Sequence, residues 1–332
     1  MEGTQIQPVA AIAFTHVGDA ERRVAGVAAV ARIVREAAEA GFAAAWVVLP
    51  EGERLGAAAA ADVDRLAGTL EVKFGQPDIG ATVVALPTDR LGTTAEVLRG
   101  TGKASDGPVS RWLNRPVSRR ISALLLRFGW MRPGHASAGT AVLAVLMFAA
   151  FVAGGRAGLI TGGLLFHAAS VFDGVDGEVA RATFRASRQG AALDSLIDAG
   201  TNALMLVGVT INLALAGYDR AVLLGGWSLG LFIVGQGLIA WRTAQIHAPV
   251  GFDLLKHHYR VRMTGPLLSG LIRFLTVVSS RDFFALLFAG LILAGWPMWV
   301  LYISTTAATI WIVFVFASLR APHDARLAAD LG

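Results

Sequence analysis

Eight residues between positions 173 and 198 have the types and spacing to hold a metal-bound phosphate. The stretch reads DGVDGEVARATFRASRQGAALDSLID and sets Asp173, Asp176, Gly177, Ala180, Arg181, Gly190, Asp194 and Asp198 at defined gaps. On a helix continuing from the apolar run 159–171, Asp173 and Asp176 are i and i+3 and Ala180 is i+7, so all three share a face. On a second helix Asp194 and Asp198 are i and i+4, again on one face. Two such helices facing each other would collect four carboxylates, which cannot all stay ionised unless cations neutralise them. An oxygen-only donor set suits hard ions such as Mg²⁺, Mn²⁺ or Ca²⁺. Gly177 and Gly190 carry no side chain, so a flat or phosphorylated group can approach the backbone. Arg181 adds a fork of donors for a phosphate. Acidic residues at the end of a membrane helix are often plain interfacial groups, but an ionisable cluster at membrane depth marks a functional site.

The elements that must position these residues are membrane helices. Of 332 residues, 55% are hydrophobic, which is high for a soluble protein. Six spans are expected, at about 137–154, 157–179, 190–215, 220–241, 282–296 and 297–318, with the last two joined through Gly295, Trp296 and Pro297. The segments 108–136, 180–189, 242–281 and 319–332 hold 6, 3, 6 and 2 Lys and Arg, against Arg156 and Arg220 on the opposite side. The positive-inside rule therefore puts both termini and the aspartate cluster in the cytoplasm. No basic n-region precedes the apolar stretch 9–14, which agrees with a cytoplasmic N-terminus. Cysteine is absent, which excludes a disulfide framework and a thiolate metal site.

Residues 1–101 read as a small α/β domain: strands at 9–14, 44–49 and 81–86, helices at 20–40 and 58–70, and a parallel sheet from the strand–helix–strand order. Residues 102–136 are a linker followed by an amphipathic segment. Arg111, Arg115, Arg119, Arg120, Arg127 and Arg132 alternate there with Trp112, Leu113, Ile121, Leu124, Leu125, Phe128 and Trp130, as in a helix lying in the membrane interface. Attraction to anionic lipid explains those arginines more simply than substrate contact. Residues 137–320 hold the spans and 321–332 form a cytoplasmic tail. In the loop before the fifth span, Lys256, Arg260 and Arg262 place positive charge where a phosphorylated acceptor would enter. Arg281 and Asp282 are either an interfacial ion pair or part of an acceptor pocket. His257 and His258 are adjacent and would diverge on a helix, which speaks against a metal site there. His167 has no nucleophile partner in view. Gly162, Gly163, Gly225 and Gly226 read as helix-packing positions.

The pattern D-x2-D-G-x2-A-R-x8-G-x3-D-x3-D resembles the signature of the CDP-alcohol phosphotransferase family, with every fixed position present. The resemblance implies an integral membrane enzyme of six helices, with two Mg²⁺ or Mn²⁺ ions per site, that displaces CMP from a CDP-linked alcohol with the hydroxyl of a second alcohol. Carried over residue by residue, it makes Asp173, Asp176 and Asp194 metal ligands and Asp198 the base that deprotonates the attacking hydroxyl. Gly177, Ala180, Arg181 and Gly190 then line the CDP pocket, and many family members are homodimers.

The stretch 106–134 is similar to the juxtamembrane region of the inositol branch of that family, the di-inositol phosphate phosphate synthases. Some of those are fused to an inositol-phosphate cytidylyltransferase. Residues 23–48 resemble the early part of a sugar-phosphate nucleotidyltransferase, although the first strand is followed by THVGDAERR rather than a Gly-rich basic loop, so this domain reads as a noncatalytic remnant. A regulatory or dimerisation module is the other reading of it. The expected substrates are CDP-inositol and inositol phosphate. The close alternative is a CDP-diacylglycerol-dependent synthase of phosphatidylinositol phosphate or phosphatidylglycerol phosphate, and a cation transporter is the alternative from another class. Membrane lipids are expected partners and nucleic acid is not. Transport predicts acids through the depth of the bundle, whereas these concentrate at one end.

Overall fold

The computed structural model describes residues 8–77, 82–88, 91–103, 106–246 and 280–320, and the chain divides into two units. The first takes Met1–Lys103, Ser118–His135 and Val175–Ser187, and the second takes Ala104–Val117, Ala136–Gly174 and Arg188–Gly332.

The first unit is built on a four-stranded parallel sheet of β1 (Val9–Ala13), β4 (Ala44–Val48), β5 (Glu71–Phe74) and β6 (Val83–Ala85), in the order β5-β4-β1-β6. Alternation along β1 and β4 sends Ala10, Ile12, Ala45 and Val47 into one core, where α2 (Ala29–Glu39) and α3 (Ala57–Ala67) contribute Val30, Ile33, Val34, Val63 and Leu66. The parallel sheet expected from the sequence is therefore present, and β5 is a strand that the hydropathy pattern does not reveal. The helix expected at 20–40 is in fact three elements: α1 (Val17–Glu21), a hairpin of β2 (Arg23–Val24) and β3 (Val27–Ala28), and α2. The reason is local. Val24 and Val27 flank Ala25 and Gly26, whose φ values of 45° and 78° make a two-residue hairpin turn that no α-helix can contain.

A short α4 (Thr94–Gly100) follows, started by a capping box in which Thr93 Oγ1 accepts from the Glu96 N–H and Glu96 accepts from the Thr93 N–H. Thr93→Ala in the full chain is expected to cost about 1 kcal/mol, read as a lower unfolding temperature. The bonds from the Thr93 backbone N–H and then its hydroxyl hold the Glu96 carboxyl below the usual carboxylate range. A carboxyl lowered on folding stabilises above its unfolded pKa and loses that contribution as pH falls through its folded value; alanine keeps the backbone N–H, so only the part of the deficit owed to the Thr93 hydroxyl's bond to Glu96 should shrink below about pH 4.

A π-helical turn (Ser110–Asn114) with exposed Trp112 leads into α5 (Arg115–Leu125), where Val117 and Leu124 are exposed, as are Phe128 and Trp130 just beyond it.

The second unit is helical, with α6 (Pro133–Ala153) from Ala136 on, α7 (Gly155–Ala182) up to Gly174, α8 (Arg188–Leu215), α9 (Ala221–Ile246), α10 (Arg281–Leu293) and α11 (Met298–Arg320). Its core gathers Met147, Phe151, Phe166, Met205, Val209, Leu213, Phe288 and Leu301. Small residues allow the close approaches: Gly162 and Gly208 both receive the ring of Phe151, Gly163 meets Ile292, and Gly225 meets Thr210, whereas Gly226 faces open space. Buried Asn212 donates to the carbonyl of Phe151 at 2.8 Å, satisfying the end of α6.

Among the described residues, five helices are long and apolar enough to cross a membrane: α6, α7, α8, Ala221–Arg242 of α9 and Met298–Phe316 of α11. The fifth span expected at 282–296 is the 13-residue α10, about 20 Å long at 1.5 Å per residue and short of a ~30 Å hydrocarbon core. Ser280 caps its start, and Gly295 at φ 82° turns the chain at its end, ahead of Pro297 and α11.

Candidate active site

The two acidic pairs sit where helical spacing places them. α7 carries Asp173 and Asp176 one turn apart, and α8 carries Asp194 and Asp198 one turn apart. Tertiary packing then brings Asp173, Asp194 and Asp198 together, with one carboxylate oxygen of each within 4.8 Å of the others. Asp176 is buried on α7. Gly190 lies in the first turn of α8, one turn before Asp194.

Arg281, at the first position of α10, reaches into this group. Its Nη1 lies 2.9 Å from Asp173 Oδ1 and also donates to Asp198 Oδ1. Asp282 turns elsewhere, accepting from Ser170 Oγ at 2.7 Å and Asn114 Nδ2 at 2.9 Å. Of the two sequence readings of Arg281 and Asp282, the structure therefore shows Arg281 joined to the aspartate cluster rather than paired with its neighbour. Lys256, Arg260 and Arg262, along with His257 and His258, lie outside the described residues.

The cluster fits a hard cation. Three carboxylates converge with oxygen donors only, and the protein already answers their charge with a guanidinium. A divalent ion drawn to Asp173 and Asp194 would compete with Arg281 for Asp173 Oδ1.

Around Arg181 the structure gives Gly177 a reason of its own. A Cβ on Gly177 would lie 2.9 Å from Arg181 Nη1 and 3.1 Å from Nη2, so the glycine makes room for the guanidinium one turn on. Arg181 Nε donates to the carbonyl of Thr101 at 2.8 Å.

Two residues of this neighbourhood escape sequence reasoning. Arg115, read as lipid-attracting, is buried and forms a two-pronged pair with Asp106, with Nε–Oδ2 and Nη2–Oδ1 both 2.9 Å. It also donates to the carbonyl of Gly174, the residue after Asp173. Glu178, inside the motif, is fully buried and accepts from Ser118 and Ser122 of α5 at 2.6 Å each. The available signal was the i, i+4 serine pair on an otherwise basic and apolar helix.

Carboxylates from two helices long and apolar enough to cross a membrane converge in a cluster with the donors to hold a divalent cation. Residues 135–318 match the family model described as CDP-alcohol phosphatidyltransferase, and the chain belongs to that family. Its relatives include proteins named bifunctional IPC transferase and DIPP synthase. The one from Rubrobacter xylanophilus is 35% identical over 192 residues, 58% of this chain and 42% of that protein. Those from Thermococcus kodakarensis and Aquifex aeolicus are 36% and 44% identical over 118 and 101 residues, or 35% and 30% of this chain and 25% and 22% of theirs. The matched stretch thus spans less than half the length of each of these relatives.

Proposed function

We propose that this chain is a metal-dependent membrane transferase that moves a phospho-alcohol group from a CDP-linked donor to an acceptor hydroxyl and releases CMP, with inositol-containing substrates favoured. The observation that carries the reading is the convergence of Asp173, Asp194 and Asp198 from two helices that bear the complete family motif. The names of the relatives and the resemblance of residues 106–134 support the inositol branch.

Asp173, Asp176 and Asp194 hold two Mg²⁺ or Mn²⁺ ions in this proposal. When bound, such ions polarise the phosphoryl group and offset charge on the departing CMP. Asp198 accepts the proton from the acceptor hydroxyl, whose oxygen forms the new P–O bond while the P–O bond to CMP breaks. Arg281 pairs with Asp198, and a base so paired must first be released. The phosphate of an acceptor such as inositol phosphate would compete for the guanidinium and free the carboxylate, which ties acceptor binding to base activation. Gly177, Ala180, Arg181 and Gly190 serve the CDP moiety, and Lys256, Arg260 and Arg262 the acceptor phosphate.

α10 supplies the sixth membrane segment, both termini and the site face the cytoplasm, and the protein works as a homodimer among membrane lipids. The α/β region, residues 1–101, is a noncatalytic remnant. The charge asymmetry of the loops supports the orientation.

The test is CMP release by the purified protein with Mg²⁺, using CDP-inositol and CDP-diacylglycerol in parallel, each with inositol and inositol phosphate. Release with CDP-inositol supports the reading, release only with CDP-diacylglycerol makes the chain a phospholipid synthase, and release from neither defeats both. Gly177→Ala is expected to displace the Arg181 guanidinium. With a charged hydrogen bond worth about 1.5–3 kcal/mol, CMP binding in Mg²⁺ should weaken roughly ten-fold or more, measured by calorimetry.

A further inference from the structure

The C-terminal end of α7, where the motif runs out, is gripped by side chains of the α/β region at consecutive positions. α7 ends in a left-handed turn: Phe184 has φ 54°, the N–H of Arg185 donates to Ala180 O at 2.8 Å, and that of Phe184 to Arg181 O at 3.3 Å. Glycine ordinarily fills this position, and a bulky residue there is strained unless its surroundings hold it. Here the ring is put to use, since the guanidinium carbons of Arg32 and Arg35 lie 5.3 Å and 6.0 Å from its centroid.

Two arginines also cap the carbonyls that the helix end leaves open. Arg32, buried in α2, donates through Nη2 to Ala182 O at 2.6 Å while binding Val24 O through Nε at 2.8 Å. Arg65 of α3 donates through Nη1 to Thr183 O at 3.0 Å and is itself steadied by Asp62 at 3.1 Å. Both positive charges stand at the negative end of the helix dipole. Burial pushes the Arg32 guanidinium down to about 10, with Glu36 and Asp62 opposing, so it is still charged at neutral pH. The β2–β3 turn comes equally close, since a Cβ on Gly26 would lie 2.9 Å from Leu126 and 3.5 Å from Thr183. One turn back, Arg181 Nε is tied to Thr101 O.

We propose that the α/β region acts as a clamp on the last turn of α7, with Arg32 and Arg65 as positioning residues that set where Arg181 presents its guanidinium to the CDP moiety. This rests on the assignment of Arg181 to CDP binding, and it gives the remnant domain a task that needs no nucleotide of its own. An Arg at 65 spans from Asp62 to Thr183, and methionine there keeps the apolar stem but loses both bonds. The substitution leaves the buried Arg32 and the sheet core untouched.

The experiment uses the full chain in nanodiscs. Amide hydrogen exchange over residues 179–185 reads the clamp directly, and calorimetry with CMP and Mg²⁺ reads its consequence. In Arg65→Met, exchange over this stretch is expected to rise at least ten-fold and the Kd for CMP at least five-fold, with Arg65→Lys restoring part of both. Unchanged exchange in Arg65→Met overturns the clamp. Faster exchange with an unchanged Kd shows a support of stability alone and overturns the positioning role. Failure of the unaltered protein to bind CMP in Mg²⁺ overturns the assignment of Arg181 on which the positioning role depends, while the exchange result still decides the clamp.

Discussion

Asp198→Asn is expected to lower transfer by about 10²–10⁴-fold, the range spanned by a positioned general base, while CMP binding in Mg²⁺ changes little. The amide keeps the shape of the carboxylate and the reach to Arg281 but cannot accept the proton of the acceptor hydroxyl. The structure sharpens this expectation, because Asp198 shares Arg281 with Asp173. In the variant, Arg281 keeps only one carboxylate partner in the cluster, so binding of a phosphorylated acceptor should hold or tighten while turnover collapses. Single-turnover CMP release together with acceptor titration checks both halves. Turnover within three-fold of the unaltered protein would remove Asp198 from the role of base.

Asp173→Asn is the second large effect. Asp173 is one of the three converging carboxylates and also the residue that Arg281 approaches at 2.9 Å. Replacing a single charge removes a proposed metal ligand and frees Arg281 to pair more fully with Asp198. Loss of even an outer partner of a metal ligand typically costs 10–100-fold in affinity, so loss of the ligand itself should reach roughly 100-fold or more. Mg²⁺-dependent CMP binding and transfer should therefore fall together, in contrast to Asp198→Asn. Titration of Mg²⁺ at fixed CMP separates the two variants, and equal Mg²⁺ affinity in Asp173→Asn and the unaltered protein would take Asp173 out of the ligand set.

The motif and the helices that carry it were legible because both depend on local order. Asp173 and Asp176 on α7, and Asp194 and Asp198 on α8, fall one turn apart by helical geometry alone, and long apolar runs mark the spans on either side. The misread helix shows where locality fails. The helix expected at 20–40 gave way to a hairpin because Ala25 and Gly26 take left-handed backbone that hydropathy does not register. The segment expected at 282–296 is present as α10, and its ends are set by the Ser280 cap and the turn at Gly295.

What the amino-acid order determines by itself is the chemistry available: a complete family signature, oxygen donors for a hard cation, and the class of membrane-embedded transferase to which residues 135–318 belong. What only the tertiary structure decides is which of those groups meet. Arg281 is 83 residues from Asp198, yet the two form a pair. Arg32 caps a carbonyl 150 residues away, and Arg115, indistinguishable in sequence from the other arginines of its segment, is buried against Asp106 and Gly174. The physical reason is common to all three. A guanidinium has five donors on a long stem, its partners are chosen by which carbonyls and carboxylates packing brings within about 3 Å, and that proximity is a property of the folded chain rather than of any local run of residues.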